Sequence, residues 1–321
     1  AVCSSGDDDA PSPPPTRPID HEEVHFMHSR RLAFVAVAAA AALLLSGCVD
    51  NSSGAQPSAA PSHDVGVDAA AVALLPAGVK DAGVLIVGTD AAYPPNEYKD
   101  PAGQPIGWEI ELTEAIGSKL GLKVEYQIAS FDNIIPSVIG GKADMGMSSF
   151  TDNAERQKQV DFVNYFTAGI IWAQATGANI DPDNACGLKV AVQATTYEHT
   201  DELPAKSQAC VDAGKPAIEI LAFDSQDAAA NAVVLGQAAA MSADSPVTLY
   251  AISKTDGKLE QAGEMFDSAP YGIPVQKGSS LANALQLALQ SLVDDGTYGK
   301  ILTAWGVESG GLEKITINAG S

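Results

Sequence analysis

Basic side chains are scarce in this sequence. Its 321 residues include 18 lysines and arginines against 40 aspartates and glutamates, which gives a formal net charge of −22. Nucleic-acid binding depends on positive patches that displace counterions from phosphates, so the charge argues against a nucleic-acid partner. It argues equally against an electrostatic attachment to anionic lipids. It does not identify a substrate, because net charge governs solubility and steering rather than a particular site.

Histidine is also scarce. Of the five histidines, only His63 and His199 follow Cys48, and neither lies near a cysteine at the spacing of a metal site. We therefore predict no metal site, and we expect His199 to be an ordinary surface residue. The chain also lacks the glycine-rich phosphate loop of a nucleotide-binding ATPase, and we expect no cofactor.

Long apolar runs are rare, and the main one lies near the start of the chain, from Leu32 to Leu45. Two arginines precede it and Ser46-Gly47-Cys48 follows, which is the layout of a secretory signal peptide. The run is shorter than the roughly 20 residues of a membrane-spanning helix. The ending resembles a bacterial lipobox, so residues 27–47 are predicted to be a lipoprotein signal. Lipidated Cys48 would hold the protein outside the cytoplasm, on the cell membrane; the alternative is an uncleaved anchor helix.

The segments on either side of this signal are poor in periodic pattern. Residues 1–26 are rich in Pro, Ser and Asp and are predicted to be disordered. Because an export signal is expected at the start of a translated chain, we expect translation to begin at Met27. Residues 48–79 are rich in Ser, Ala, Pro and Asp and are predicted to be a flexible tether.

Cysteine is the last scarce residue, with four in the chain. Cys3 lies in the N-terminal extension and Cys48 is the predicted lipid site, which leaves Cys186 and Cys210. In an exported protein a disulfide between them is the default expectation. Closing a loop of this size would stabilise the fold by roughly 3 kcal/mol in the chain-entropy description.

What the sequence does contain is a regular alternation of short β-patterns and helical patterns. The stretch "VLIVGTD" reads as a buried strand, and the helix that follows is predicted to end at Gly121. Asp132 is predicted to cap the next helix, with Pro136 in its first turn. The pattern restarts after the extended stretch "YFTAGIIWAQAT". The sequence therefore predicts two α/β units, each with a mostly parallel sheet, and a ligand cleft at the carboxyl ends of their strands.

Hydroxyl side chains and an arginine follow one predicted strand end, in the stretch "MSSFTDNAER". Ser148, Ser149 and Thr151 come first, and Arg156 lies five residues beyond the last of them. The planar fork of an arginine is suited to gripping a carboxylate with two parallel hydrogen bonds. This pattern indicates an anion site, with a solvent-exposed arginine on a helix surface as the alternative.

Eight segments in order carry a resemblance to a known family. From about Gly83 to Trp305 the chain resembles the amino-acid-binding proteins of ABC importers (bacterial solute-binding protein family 3), in "VGTDAAYPPNEYKD", "GWEIELTEAIGSKLGLKVEY", "FDNIIPSVIGGKADM", "ERQKQVDF", "VAVQATT", "ADSPVTLY", "APYGIPVQKG" and "DDGTYGKILTAWG". The resemblance implies a two-lobed periplasmic-binding fold of type II, with hinge crossings near Ile171 and Tyr271. We place lobe 1 at residues 80–171 and 272–310, lobe 2 at 172–271, and a tail at 311–321.

The resemblance also implies roles for individual residues at the two ends of an amino-acid ligand. Arg156, helped by Thr151 and the Ser149 region, would bind the ligand's carboxylate, together with Thr195 and Thr196 of "QATT". Ala194 stands there where the family has glycine, so the turn would be strained if that residue needs a positive φ. Asp244 would bind the ammonium group, with capping of the following helix as the alternative role.

The pocket wall in the first lobe is expected to include Asp90, Tyr93 and Phe131, although Phe131 is equally suited to the core. A carboxylate at Asp90 favours a ligand with a basic or amide side chain. Asn96 departs from the family's aromatic residue at its position. The implied function is a monomeric, non-enzymatic receptor that binds a polar L-amino acid and delivers it to an ABC permease with its ATPase. The alternatives are an enzyme of the same fold, similar to cyclohexadienyl dehydratase, and an amino-acid sensor.

Overall fold

The computed structural model describes residues 65–321. The predicted N-terminal extension, the signal peptide, the lipid site Cys48 and the tether up to residue 64 lie outside the described residues. Within residues 65–321, no helix combines the length and the apolar character that a membrane crossing requires. In the same range, no cluster of three or more His, Cys, Asp or Glu side chains could hold a metal ion.

The strands alternate with helices along most of this range. The strands are β1 (Val84–Thr89), β2 (Ala92–Tyr93), β3 (Glu97–Lys99), β4 (Pro105–Ile106), β5 (Lys123–Ile128), β6 (Met145–Gly146), β7 (Val160–Ala175), β8 (Lys189–Gln193), β9 (Glu219–Phe223), β10 (Ala240–Asp244), β11 (Leu259–Gln276) and β12 (Gly311–Ile317). The long strands β7 and β11 contrast with the short strands around them. They are the segments that link the two halves of the molecule.

The helices fill the connections between parallel strands. They are α1 (Ala69–Ala73), α2 (Ala77–Ala82), α3 (Trp108–Leu120), α4 (Phe131–Ile139), α5 (Leu203–Asp212), α6 (Gln226–Val234), α7 (Ser245–Lys254), α8 (Leu281–Asp294) and α9 (Thr297–Trp305). Short 3₁₀ turns occur at Arg156–Lys158, Pro182–Asn184 and Glu308–Gly310, and a π-helical turn at Glu198–Glu202 leads into α5. As predicted, α3 ends at Gly121, which has a left-handed backbone (φ 65°).

The main sheet has two parallel halves joined by an antiparallel pair. Its strand order is β5-β1-β6-β11-β7-β10-β8-β9, and β12 pairs with β7. Strands β5, β1 and β6 are parallel, as are β10, β8 and β9, while β7 and β11 run antiparallel to each other between them. A small sheet of β2, β3 and β4 lies beside the first half. This architecture confirms the prediction of two α/β lobes.

Each lobe has its own buried core. The core of the first lobe contains apolar side chains of α3 and α8, such as Leu112, Ile116 and Leu285, packed with Tyr165. The second lobe has two clusters, one of which contains Trp172. The cysteines predicted to pair are joined as a disulfide between Cys186 and Cys210, beside that cluster.

The two lobes are joined where β7 and β11 cross between the cores. On β7, Phe166 and Ala168 pack in the first-lobe core, while Ile170 belongs to the second. The pairing of β7 with β11 shifts register between Ala262 and Phe266, between Phe266 and Ala269, and between Tyr271 and Gly272. Such irregularities interrupt the regular ladder of strand hydrogen bonds. Hinge motion at these crossings, and the exact lobe boundaries, stay predictions.

The predicted boundaries of the tether and of the tail are wrong, because parts of both segments belong to the first lobe. Residues 65–79 were expected to be flexible, but α1 and α2 begin within them, and Ala71 and Leu75 are buried in the first-lobe core. Asp68 caps α1 by accepting hydrogen bonds from the backbone of Ala70 and Ala71. The tail at 311–321 contributes β12, and Ile315 is buried in the same core. Both segments are ordered because they cover apolar surface of the first lobe.

Helix α4 begins two residues earlier than predicted. Ser130, not Asp132, occupies the N-cap position, and Pro136 lies inside the helix rather than in its first turn. The side chain of Asp132 accepts a hydrogen bond from Ser130 Oγ (2.7 Å). As a result, Phe131 lies at the first helical position, next to the cleft described below.

Candidate functional site

The predicted site residues meet because parallel strands end at the same edge of each lobe. Asp90 follows β1, and Ser148 and Ser149 follow shortly after β6. In the second lobe, Gln193 ends β8 and Asp244 ends β10. Open α/β sheets hold ligands beyond the carboxyl ends of their strands, and here two such edges meet.

A narrow cavity of about 10 Å³ lies between these edges. That volume is close to the room that one water molecule needs, so the lobes must move apart to admit a larger ligand. The residues that line it are Asp90, Tyr93, Glu97, Phe131, Ser148, Ser149, Thr151, Arg156, Gln193, Thr196, Tyr197, Glu198 and Asp244. The cavity thus brings together the predicted site residues, with the exception of Thr195. Glu97, Gln193, Tyr197 and Glu198 were not predicted.

Arg156 lies against an aromatic pair on the first-lobe side of the cavity. Its guanidinium carbon is 5.5 Å from the ring centre of Phe131 and 5.6 Å from that of Phe150, and the two rings are stacked 4.4 Å apart. Nη1 donates to the carbonyl oxygen of Thr151 (2.9 Å). Among residues 65–321, no carboxylate lies within ion-pair distance of the guanidinium. The fork is therefore oriented by cation–π contacts and one hydrogen bond, and its charge is left for a ligand.

Asp244 occupies the N-cap position of α7, but its side chain makes no capping hydrogen bond. Instead, Oδ2 accepts a hydrogen bond from the Tyr93 hydroxyl (2.9 Å), which in turn accepts one from the Asp244 backbone N–H (3.2 Å). Burial, and then the charge of Glu198, raise the pKa of Asp244 well above its usual range. The Asp244 side chain therefore does not cap α7, which was the alternative role considered for it. The carboxyl group is directed to the cavity, where a cation would stabilise its ionised form.

The "QATT" turn is strained at Thr195 rather than at Ala194. Thr195 has a left-handed backbone (φ 66°), which is unusual for a β-branched residue, whereas Ala194 has no positive φ. The Thr195 backbone N–H donates to Nδ1 of His199 (3.1 Å), and the Thr196 hydroxyl donates to the Gln193 carbonyl (3.1 Å). His199 is therefore part of the turn, not the ordinary surface residue expected. Alanine is tolerated at 194, and the strain is held by the neighbouring hydrogen bonds.

A buried polar network supports the Ser149 loop from behind. Ser149 also has a left-handed backbone (φ 52°), and both its N–H (3.1 Å) and its hydroxyl (2.8 Å) donate to the Glu109 carboxyl group. Asn96 Nδ2 donates to Ser149 Oγ (2.8 Å), and Trp108 Nε1 donates to Asn96 Oδ1 (2.6 Å). This network explains Asn96: an aromatic residue there could not join Trp108 to Ser149.

Two buried carboxyl groups, Glu97 and Glu109, lie at the back of this network. Ser148 Oγ donates to Glu97 (2.8 Å), and the Tyr165 hydroxyl donates to Glu109 (2.6 Å). Burial, and then the charge of Glu109, raise the pKa of Glu97 well above its usual range. Two adjacent buried carboxyl groups disfavour each other's ionisation, and burial raises the pKa of Glu109 as well.

Direct hydrogen bonds join the lobes across the cavity. Gln193 Nε2 of the second lobe donates to Asp90 Oδ2 of the first (2.9 Å), and the Tyr93 hydroxyl donates to Asp244. Tyr93 also packs with Ala243 and Val247 of the second lobe. Burial raises the pKa of Asp90 to about 6, against the hydrogen bond from Gln193, which lowers it. The lobes are in contact around the cavity.

The four cavity residues that were not predicted carry weak sequence signals. Gln193 and Tyr197 flank the two threonines of "QATT", and Glu198 follows them in a stretch that reads as plain helix. Glu97 lies on β3 of the small sheet, in the segment "NEYK". A polar residue directly after a strand end was the available signal for Gln193. Nothing in the local pattern marks Glu97 or Glu198 as buried.

The cavity is strongly acidic. Asp90, Glu97, Glu198 and Asp244 line it, against the single cation Arg156. One cation can bind a carboxylate, while several buried carboxyl groups favour a partner with more than one positive group. The arrangement suits a small zwitterion that carries additional positive charge.

Comparison with known proteins agrees with this geometry. The model of the bacterial extracellular solute-binding proteins, family 3, matches residues 85–308. The arginine-binding protein ArgT of Corynebacterium glutamicum is 43% identical over 248 residues, which cover 77% of this chain and 82% of the relative. The L-arginine-binding protein of Pseudomonas aeruginosa is 29% identical over 252 residues, covering 74% and 93%.

A solved structure shares the fold as well as the sequence pattern. An ancestral arginine-binding protein bound to arginine superposes with a TM-score of 0.64 at 35% identity, covering 70% of this chain and 98% of that one. The family match spans both lobes and every cavity residue. This chain belongs to the bacterial extracellular solute-binding proteins, family 3.

Proposed function

We propose that this protein is an extracellular receptor for a cationic L-amino acid, with arginine as the first candidate, and that it serves an ABC importer. The observation that carries this proposal is the charge of the cavity, where four carboxyl groups face one guanidinium. An acidic amino acid would add a further carboxylate to a buried acidic site. A neutral one would leave buried carboxyl groups without a cation.

The cavity groups divide into two ends, which match the two ends of such a ligand. Arg156, Thr196 and Asp244 would hold the common part, the carboxylate on the arginine and the ammonium on the aspartate. Asp90 and Glu97 would face the distal cation of the side chain. Phe131 provides an apolar surface beside Arg156, suited to the aliphatic stem.

The relatives support a binding function over catalysis. ArgT and the Pseudomonas aeruginosa relative are named as arginine-binding proteins, not as enzymes. The cavity lining also contains no histidine or cysteine. The alternative of a dehydratase of this fold is correspondingly weaker, and no specific observation favours a sensor.

The partners follow from this function. The ligand would be released to a separate permease that is driven by an ATPase, after the lobes open by hinge motion at the β7 and β11 crossings. A lipid on Cys48 would keep the receptor, as a monomer, at the membrane surface beside that permease.

The test of this function is a thermal unfolding screen of the chain from Val49 to Ser321 against the twenty amino acids, ornithine and citrulline. A ligand at a hundred times its dissociation constant adds about 2.7 kcal/mol of stability. We expect arginine, and more weakly lysine or ornithine, to raise the melting temperature. Shifts with acidic amino acids alone, or with none of the panel, would contradict the proposal.

Asp90 is predicted to set the preference for a cationic side chain. Asp90→Asn should weaken arginine binding by roughly ten- to hundred-fold, the value of a charge-assisted hydrogen bond of about 1.5–3 kcal/mol, and should leave citrulline binding nearly unchanged. Since the pKa of Asp90 is raised to about 6, the preference of the wild type for arginine over citrulline should fall as the pH drops through that value. Isothermal titration calorimetry with both ligands from pH 5 to 8 measures this ratio.

Asp132→Asn is the matched control, because Asp132 is an exposed carboxylate near Asp90 that does not line the cavity. It should leave the affinity unchanged and shift the pH dependence of the ratio only slightly downward, because the charge of Asp132 is a minor cause of the raised pKa of Asp90. If Asp90→Asn binds arginine as tightly as the wild type, then Asp90 does not contact the distal cation.

A further inference from the structure

Glu198 is a buried carboxyl group that lines the cavity and is only 1% exposed. Its Oε1 atom has no hydrogen-bond partner among the described residues. A buried polar atom without a partner costs free energy, about 1–3 kcal/mol and more for a charged group. An unpartnered carboxyl oxygen on a cavity wall therefore indicates a group that the ligand supplies.

Glu202, one turn further along the same π-helical segment, shows that burial alone does not leave a carboxyl oxygen without a partner. Glu202 is also buried, but both of its oxygens are occupied: Trp172 Nε1 donates to Oε1 (3.2 Å) and Ser242 Oγ donates to Oε2 (3.0 Å). Glu202 does not line the cavity. Only Glu198 of this pair is positioned to contact a ligand.

Glu198 lies at the end of the cavity that would hold the ligand's ammonium and carboxylate. Burial raises the pKa of Glu198, while its own backbone, Thr196 and the charge of Arg156 lower it. The charge of Glu198 in turn raises the pKa of Asp244, so each of these two buried carboxyl groups disfavours ionisation of the other. Glu198 and Asp244 thus form a second acidic pair, distinct from Glu97 and Glu109.

We propose that Glu198 binds the ligand's ammonium group together with Asp244, and that the ammonium displaces a proton which the two carboxyl groups otherwise share. This inference rests on the proposed function. On binding, the shared proton leaves to solvent, and an ammonium N–H takes its place as the donor between the two carboxylates. Each binding event therefore releases up to one proton.

The other charged and titratable groups around Glu198 come from several elements. They are Tyr93 of β2, Arg156 of the 3₁₀ turn, Tyr197 and Glu202 of its own segment, and Asp244 of β10. Arg156 is the cation among them, and the ligand's own carboxylate would occupy it. The ammonium is thus left with the two carboxylates as its partners. Affinity should rise with pH as the shared proton becomes easier to lose, until the ammonium itself deprotonates.

The test is isothermal titration calorimetry of arginine and citrulline in phosphate and in Tris buffer, whose different ionisation enthalpies give the number of protons released. We expect the wild type to release close to one proton with either ligand. Glu198→Gln should lose most of that release. It should also bind both ligands ten- to hundred-fold more weakly, by the same factor, because the ammonium is common to both. Glu202→Gln should retain the wild-type affinity and proton release.

Three results would overturn this inference. One is Glu198→Gln with wild-type affinity and proton release, another is a loss for arginine alone, and the third is a wild type that binds without releasing a proton. If the wild type binds no amino acid, the proposed function itself fails. Should Glu198→Gln unfold, Glu198→Asp keeps the charge and should retain proton release at reduced affinity; its binding without proton release would count against the pair.

Discussion

Arg156→Ala is expected to weaken arginine binding by between about thirty-fold and several thousand-fold. Removing one partner of a largely buried charge pair typically costs 2–5 kcal/mol, because the remaining charge is left without a counterion in a closed site. Here the remaining charge would be the ligand's carboxylate. The same change deletes the cation stacked beside Phe131 and Phe150. Calorimetric titration with arginine measures the loss.

Two further variants separate the role of the Arg156 guanidinium from a general loss of positive charge. Lys158→Ala removes an exposed cation from the same 3₁₀ turn, where Lys158 pairs with Glu155, and it should leave affinity unchanged. Arg156→Lys keeps the charge but loses the planar fork, so we expect an intermediate affinity. An Arg156→Ala variant that binds arginine as tightly as the wild type would refute the assignment of Arg156 to the carboxylate.

Gly107→Ala should destabilise the fold by about 4 kcal/mol or more, without touching the cavity lining. Gly107 has φ 132°, and a Cβ atom there would lie 2.1 Å from the carbonyl oxygen of Asn96 and 2.8 Å from that of Pro95. Both are backbone atoms that cannot rotate away, so the chain itself must move. Unfolding in guanidinium chloride, followed by circular dichroism, gives the change in free energy.

Gly103 offers a matched comparison four residues earlier. It also has a positive φ, 83°, but a Cβ atom there would meet nothing within 4 Å. Gly103→Ala should therefore cost only about 1 kcal/mol, the backbone penalty alone. Equal losses for the two variants would show that the close approach to Asn96 does not constrain Gly107.

The sequence predicted the fold and the main cavity residues because both depend on local pattern. Strand and helix periodicity gave the two α/β lobes, and polar residues after strand ends located Asp90, Ser148 and Asp244 at one cleft. These positions follow from parallel strands that end at a common edge. The order of eight family-like segments then assigned the type of ligand.

Local sequence pattern could not predict which acidic residues are buried around the cavity. Glu97 and Glu198 are charged residues in segments that read as ordinary hairpin and helix, and their burial depends on contacts with distant parts of the chain. Thr195 shows the same limit, because its left-handed backbone depends on a hydrogen bond to His199. The residues at 65–79 were misread for the opposite reason. Their alanine-rich composition resembles a linker, but the helices cover the first-lobe core.

The chain crosses between the lobes twice, and this topology has an evolutionary consequence. All elements of the second lobe from β8 to α7 lie in one uninterrupted stretch between the crossing strands β7 and β11. That stretch contributes Thr196, Glu198 and Asp244, while Asp90 and Glu97 belong to the other lobe. Arg156 also belongs to the first lobe, so the groups proposed to face the ligand's side chain lie in that lobe, and the groups proposed to hold its common part come from both lobes. Recombination at two points would therefore exchange the second lobe whole between paralogues, while the groups proposed to select the side chain stay with the first.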